Sequence, residues 1–449
     1  MAAKKQAPTK VDGKAAKVKV PPKPQAFGGT PIMPPTEGLS LESEAPIPRV
    51  TDLSHEEKLR RIAILRSKHP GAFVPIDELT TPYLLRRPTG IIELDIALGG
   101  GFPAGGASML SGPYNSGKSW MLWRMFAMQQ RIYGDEFIGA VVHAEGALDF
   151  VFMRQCGFIV PVPDEVLDVW NRRYYAEGLP QLTSAQIDYW KATKGHVEVI
   201  LGRRGKEESD APVGEDILQV VLDLSAQNAF SLIGLDSISS LQPGADADKD
   251  MDDENKRAAH AQMMKKFWLH YVPTTRTGRN KTTLMMIQQV VAKDLSKVAP
   301  FMLKFEKEWE TKGAESSKHY KLVDLVLWGA AQIKDGADRE SIGKVVKWRT
   351  QKGKAGTHDN LTGEYNYYYS LCGNDVAGDL ILSAYQRGII LNYGGQLGVA
   401  RANSKGALLE NVRYKNDGEI RERINADVNF EFMLRRELLA SAGVQCSYR

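Results

Sequence analysis

Cysteine is scarce here: three residues in 449, at Cys156, Cys372 and Cys446, far apart in sequence. Such spacing gives neither a disulfide framework nor a Cys/His metal cluster, and it points to a reducing compartment. Long apolar runs are missing too. No stretch approaches the roughly 20 residues that span a bilayer, and the N-terminus lacks the apolar core of a signal peptide. The expectation is a cytoplasmic protein with no membrane partner. Internal repeats are also lacking, which argues against a solenoid or propeller.

Net charge is small, +4 overall, but unevenly placed. Residues 1–24 hold seven lysines against one acid, Asp12, so they carry +6 and the remainder of the chain about −2. A Lys/Pro/Ala tail of this kind buries too little apolar surface to order itself. It is either a loose electrostatic tether for nucleic acid or a plain solvated extension. The body, with 43% hydrophobic and 25% charged residues overall, reads as an ordinary globular chain long enough for more than one domain.

Four regions are expected: a Lys/Pro-rich tail over 1–50, an N-terminal helix and linker over 51–88, a core over 89–373, and a small C-terminal domain over 374–449. Ser54 followed by Glu57 predicts a capped helix running to Lys68, ended by His69-Pro70-Gly71. In the core, short apolar strands alternate with helical patterns: Ile138–His143, Val197–Leu201, Leu232–Leu235, Thr283–Ile287, Leu325–Leu327 and Lys344–Trp348. That alternation predicts an α/β fold, a mostly parallel sheet flanked by helices. The C-terminal region shows short helical segments, with Ile381–Arg387 and Glu419–Leu439 the clearest.

What the chain does contain is an unbroken G-x-x-x-x-G-K-S: Gly112-Pro113-Tyr114-Asn115-Ser116-Gly117-Lys118-Ser119. An apolar run, Ala107–Leu110, precedes it, and a helical pattern from Trp120 follows. Strand, tight loop and helix form the context a phosphate-binding loop requires; the plainer alternative is a chance glycine-rich turn. Lys118 is then placed to reach the β- and γ-phosphates and Ser119 to hold Mg2+. Two further strands end in acids. Leu232–Asp236 places Asp236 to hold the Mg2+ water shell. Gly139–Glu145 offers Glu145 as general base for an attacking water, or as a cap of the following helix. A third strand, Thr283–Gln289, ends in amides, and Gln289 is a candidate sensor of the terminal phosphate.

With these segments in view, the chain resembles the RecA recombinase family, in its UvsX-type or divergent bacterial form. The resemblance rests on Thr89–Pro103 before the loop, on Ala144–Asp149 after it, and on Leu235–Leu241 at the second acid. It implies a RecA-like P-loop ATPase core that binds ATP and Mg2+ between neighbouring subunits of a helical homo-oligomeric filament. Single-stranded DNA and homologous duplex DNA would be the partners, with single-strand-binding or loader proteins possible. Position by position, Glu145 matches the catalytic glutamate, Asp236 the metal-side aspartate and Gln289 the sensing glutamine. Lys118 and Ser119 match the loop pair, with Trp120 next to them. Asp149 and Phe152 fall where the family contacts adenine, Phe152 replacing a usual aromatic hydroxyl. Lys347 and Arg349 match the two cations presented to the γ-phosphate from the adjoining subunit, the alternative being an exposed strand face.

Two segments match the family's DNA loops. The first, Pro243–Asp253, is too acidic to grip phosphates, so positive charge is expected from Lys256, Arg257, Lys265 and Lys266. The second runs from Val290 to about Ser317 and interleaves cations with apolar groups: Lys293, Lys297, Phe301, Met302 and Lys304, with Lys321 after it. Lysines would neutralise phosphates while rings stack on bases; an amphipathic helix packed on the core fits the same spacing. Ser316-Ser317 stands where the family has a glycine pair. Residues 159–196, rich in aromatic and basic side chains, have no counterpart in short bacterial members, and the family's acidic C-terminal tail is missing. Competing readings are a hexameric RecA-fold helicase and a protein that uses ATP only as a structural ligand.

Overall fold

Ser54 starts a helix as expected: its side chain accepts from the Glu57 amide at 3.2 Å, and the helix runs His55–Lys68. The structure, a computed structural model, describes residues 54–69, 85–144, 148–201, 213–244, 256–275, 280–292, 309–311, 317–336, 340–404 and 406–444. The basic tail therefore lies outside the described residues, as does the acidic run 245–253.

The strands, in chain order, are β1 (Arg86–Arg87), β2 (Phe102–Pro103), β3 (Gly106–Gly112), β4 (Ile138–His143), β5 (His196–Leu201) and β6 (Leu232–Asp236). They continue with β7 (Thr283–Ala292), β8 (Trp309–Thr311), β9 (Val323–Lys334), β10 (Ser341–Gly353), β11 (Thr362–Tyr368), β12 (Ile390–Asn392) and β13 (Leu397–Val399). The main sheet has the order β11-β10-β9-β3-β7-β6-β4-β5, with β8 paired to β7 off that path. Along that path from β5 to β9 every pairing is parallel, while β8 pairs antiparallel with β7. Beyond β9 the sheet turns antiparallel through β10 and β11.

Strands β3 and β6 are buried at every position, which fits them only for a sheet covered on both faces. Period-two alternation divides their side chains between two cores. Leu110, Val141, Met285 and Ile287 face one layer, packed under Trp120, Trp123, Phe126 and Phe158. Met109, Val142, Ile233 and Met286 face the other, against Val221, Phe267, Trp268 and Tyr271. The helix Lys118–Tyr133 covers the first face, while Gly214–Gln227 and Lys256–Thr275 cover the second. Each fully buried aliphatic or aromatic side chain contributes about 1.5–3 kcal/mol.

A third apolar cluster joins Ile92 and Met128 of the core to Leu380, Ile390, Ile420, Phe430 and Leu438 of the C-terminal segment. There the expected stretch Glu419–Leu439 is two helices, Asp417–Ala426 and Val428–Ser441. Asp427 breaks it, because its carboxylate accepts from the Asn429 and Phe430 amides and caps a new helix. Residues 159–196 contain the helices Asp164–Ala176 and Ser184–Lys191, joined by an edge-on contact of Trp170 and Trp190, 5.3 Å between centroids.

Candidate nucleotide site

Parallel pairing aligns the strand ends that matter. Gly112, the last residue of β3, is opposite Gln289 on β7. Next along the sheet, Leu235 is opposite Met286, and then His143 is opposite Asp236. The carboxyl ends of β3, β7, β6 and β4 therefore form one rim, where open α/β sheets bind ligands.

The loop leaving β3 has no room for a side chain at its first glycine. A Cβ on Gly112 would collide with the Leu327 carbonyl and the Ser116 side chain. Gly117, the helix cap, has φ +91°, a left-handed conformation that other residues adopt only under strain. Together they turn the backbone into the helix Lys118–Tyr133, whose first-turn amides have no partner inside the helix. Such a terminus binds phosphate oxygens. Lys118 is buried, and its Nζ donates to the Pro113 carbonyl at 2.7 Å, folding across the loop. Tyr114, by contrast, is 80% exposed at the crest.

Ser119 Oγ donates to Asp236 Oδ2 at 2.8 Å, and Asp236 is itself buried at the end of β6. Two oxygens so placed suit a hard cation that keeps most of its ligands from water and phosphate, as Mg2+ does. The Ala144 amide donates to the Asp236 backbone carbonyl at 2.8 Å, tying the end of β4 to the end of β6. Glu145 itself lies outside the described residues. The Gln289 amide donates to Ser239 Oγ at 2.9 Å, fixing β7, three residues before its last, against the turn after β6.

Around this rim the other expected residues take different positions. Asp149 caps the helix Phe150–Gln155 by accepting from the Phe152 amide at 2.9 Å, and Phe152 packs against the first core. Trp120 is buried: its indole stacks on Tyr365 at 5.5 Å and donates to the Cys372 carbonyl at 2.7 Å. Its side chain is core, leaving only its backbone for a ligand. Lys347 and Arg349 lie exposed on β10, Lys347 loosely beside Glu364 at 3.9 Å and Arg349 bonded to Asn360. Sequence reasoning passed over Lys344 in the same run. It reaches the loop of its own chain, donating to the Asn115 carbonyl at 2.6 Å across the Tyr367 ring, and burial holds its pKa below the usual lysine range. Lys344 shares its face of β10 with the buried Val346 and Trp348, opposite to Lys347 and Arg349; that alternation was visible in sequence, but the meeting of this face with the phosphate loop was not.

Among the DNA-contact candidates, Lys293, Lys297, Phe301, Met302 and Lys304 lie outside the described residues. Lys265 and Lys266 are exposed on the helix Lys256–Thr275. Lys321 corrects an expectation. It is not on a DNA-facing surface but buried, its side chain 3% exposed and paired with Asp324, also 3% exposed. A cation whose charge is already neutralised inside the core has none to offer a phosphate.

No protein-family model matches the chain. Curated relatives do. It is 27% identical over 354 residues to the protein RecA of Pseudarthrobacter chlorophenolicus, covering 76% of this chain and 83% of that one. It is 26% identical over 350 residues to the protein RecA of Mycobacteroides abscessus, covering 75% and 83%. With the protein RecA of Nocardia farcinica it shares 25% identity over 399 residues, 86% of this chain and 97% of the relative.

Proposed function

We infer that this chain, a distant member of the RecA family, is an ATP-dependent recombinase that assembles on single-stranded DNA and pairs it with homologous duplex. The observation that carries this reading is the rim itself: Ser119 bonded to Asp236, with Gly112 in register beside Gln289. It supports a site for a triphosphate with its metal, next to a strand end able to report what is bound. The near-complete span shared with the Nocardia farcinica relative supports the recombinase over the helicase.

In this reading the amides of the loop Gly112–Ser119 cradle the phosphates and Lys118 swings from the Pro113 carbonyl to the β- and γ-oxygens. Ser119 and Asp236 would hold Mg2+, which would supply neutralisation of charge on the transferring phosphoryl group. Glu145 takes a proton from the attacking water. Asp149 and Phe152 flank the base. Lys347 and Arg349, exposed on β10, serve the site of the adjoining subunit, as a trans-acting arginine finger does. Gln289 responds to the γ-phosphate and begins the segment that carries Lys293, Lys297, Phe301, Met302 and Lys304 to the DNA.

ATPase assays with and without single-stranded DNA, combined with negative-stain imaging, test the reading. Filaments and strong stimulation are expected. Closed rings with directional unwinding would replace the recombinase by a helicase, and a monomer indifferent to Mg-ATP and oligonucleotide would end both.

A further inference from the structure

Lys344 meets the phosphate loop from the flank away from Asp236. In the sheet β10 lies two strands from β3 on one side, and β6, which ends in Asp236, lies two strands from it on the other. From the β10 flank Lys344 Nζ donates to the Asn115 carbonyl at 2.6 Å, with its ammonium 5.6 Å from the centre of the Tyr367 ring. Asn115 is exposed and left-handed, φ +57°, and Gly117 is left-handed too, with the buried Ser116 between them. Left-handed residues alternating with ordinary ones make successive amides converge into a concave anion cradle.

The direction of the Lys344 bond decides where one of those amides points. The peptide joining Asn115 to Ser116 is trans, and a trans peptide is planar with its C=O and N–H pointing in opposite directions. Holding the Asn115 carbonyl towards β10 therefore turns the Ser116 N–H towards β7 and β6, the side on which Ser119 meets Asp236. The same bond secures a left-handed conformation that a side chain disfavours. Lys344 itself gains little from the contact. Burial lowers its pKa, and among the described residues its partners are a carbonyl and a ring face rather than a carboxylate.

We propose that Lys344 is a positioning residue for phosphate binding in its own chain, latching the Asn115 carbonyl outward so that the Ser116 amide faces the phosphates. The inference rests on the reading that this loop takes a triphosphate. Under that reading the two faces of β10 have separate tasks: Lys344 orders the loop of its own subunit, while Lys347 and Arg349 serve the adjoining one.

Nucleotide binding and turnover in the full chain test the latch. Lys344→Met keeps the stem and removes the donor, so Kd for fluorescent Mg-ADP and for a Mg-bound, non-hydrolysable ATP analogue should each rise about tenfold. With saturating single-stranded DNA, KM for ATP should rise by the same factor and kcat stay within about threefold, because the amide bonds phosphate alike in the ground and transition states. Lys344→Arg, which keeps a donor of sufficient reach, should restore most of the affinity. A lower kcat with unchanged Kd would make Lys344 a cation acting on the transferring phosphoryl group, and unchanged Kd and KM would leave the loop independent of it; either result overturns the latch. So would a fall in melting temperature, affinity and kcat together that Lys344→Arg does not restore, the mark of a merely structural role. If the unaltered protein binds neither nucleotide, the functional reading fails and the latch with it.

Discussion

Ser119 Oγ donates to Asp236 Oδ2 at 2.8 Å, joining the first turn after the phosphate loop to the end of β6. One bond thus brings together the two protein oxygens that, in the proposed reading, would hold Mg2+. Asp236→Asn keeps the shape and removes the charge. Steady-state ATP turnover at saturating DNA should drop at least about 100-fold, roughly 2.7 kcal/mol of barrier, with little change in melting temperature. Turnover within a few-fold of the unaltered protein would place the metal elsewhere.

Lys347 and Arg349 are exposed on β10, so their joint replacement by Ala should change stability by no more than about 0.5 kcal/mol. Hydrolysis should nevertheless fall on the order of 10³-fold, the scale of a lost trans cation. Mixing this variant with Glu145→Gln subunits, each inactive alone, should restore part of the activity, because some seams then combine an intact base with intact cations. No recovery on mixing would contradict a shared site.

Salt dependence separates the buried lysine from the loop lysines. Each phosphate neutralised on a single strand contributes about 0.7 to the slope of log Kd against log salt. Lys297→Ala should lower that slope by about this amount. Lys321→Met should leave it unchanged, yet destabilise the fold by about 3–5 kcal/mol by stranding Asp324. The reverse pattern in salt titrations and urea melts would return Lys321 to the DNA surface.

Asp95 is fully buried and accepts from the Thr89 amide, the Thr89 hydroxyl and the Gly90 amide at 2.7, 2.8 and 3.1 Å. Burial outweighs these bonds and raises its pKa from 3.8 to about 6. The folded chain therefore holds this proton more tightly than the unfolded chain. Its contribution to stability is greatest below pH ~4, falls as pH rises towards 6, and is flat above. Relative to Asp95→Asn, the unaltered protein should lose about 2–3 kcal/mol across that window. A pH-independent difference in urea denaturation would contradict it.

Much of this was legible from residues alone. The strand Ile138–His143 and the cap at Ser54 are local signals, apolar alternation and a hydroxyl three residues before a glutamate, and both appear as expected. The placement of Asp236 beside Ser119 followed from an apolar run ending in an acid. The antiparallel flank was less visible: β9 runs on through Gly329-Ala330-Ala331, and β11 carries tyrosines among polar residues. Pairing across the hairpin, not periodicity, makes those strands. Lys321 misled because sequence shows a lysine but not its partner, and Asp324, three residues on, becomes one only when β9 aligns it with β3. Trp120 likewise reads as a ligand neighbour until Tyr365, far along the chain, covers it.

The most direct test of the whole account is a titration of fluorescent single-stranded oligonucleotide at one salt concentration, with and without a Mg-bound ATP analogue that cannot be hydrolysed. Nucleotide held at the Ser119–Asp236 rim should tighten DNA binding by about fivefold or more. Identical dissociation constants in the two titrations would contradict it.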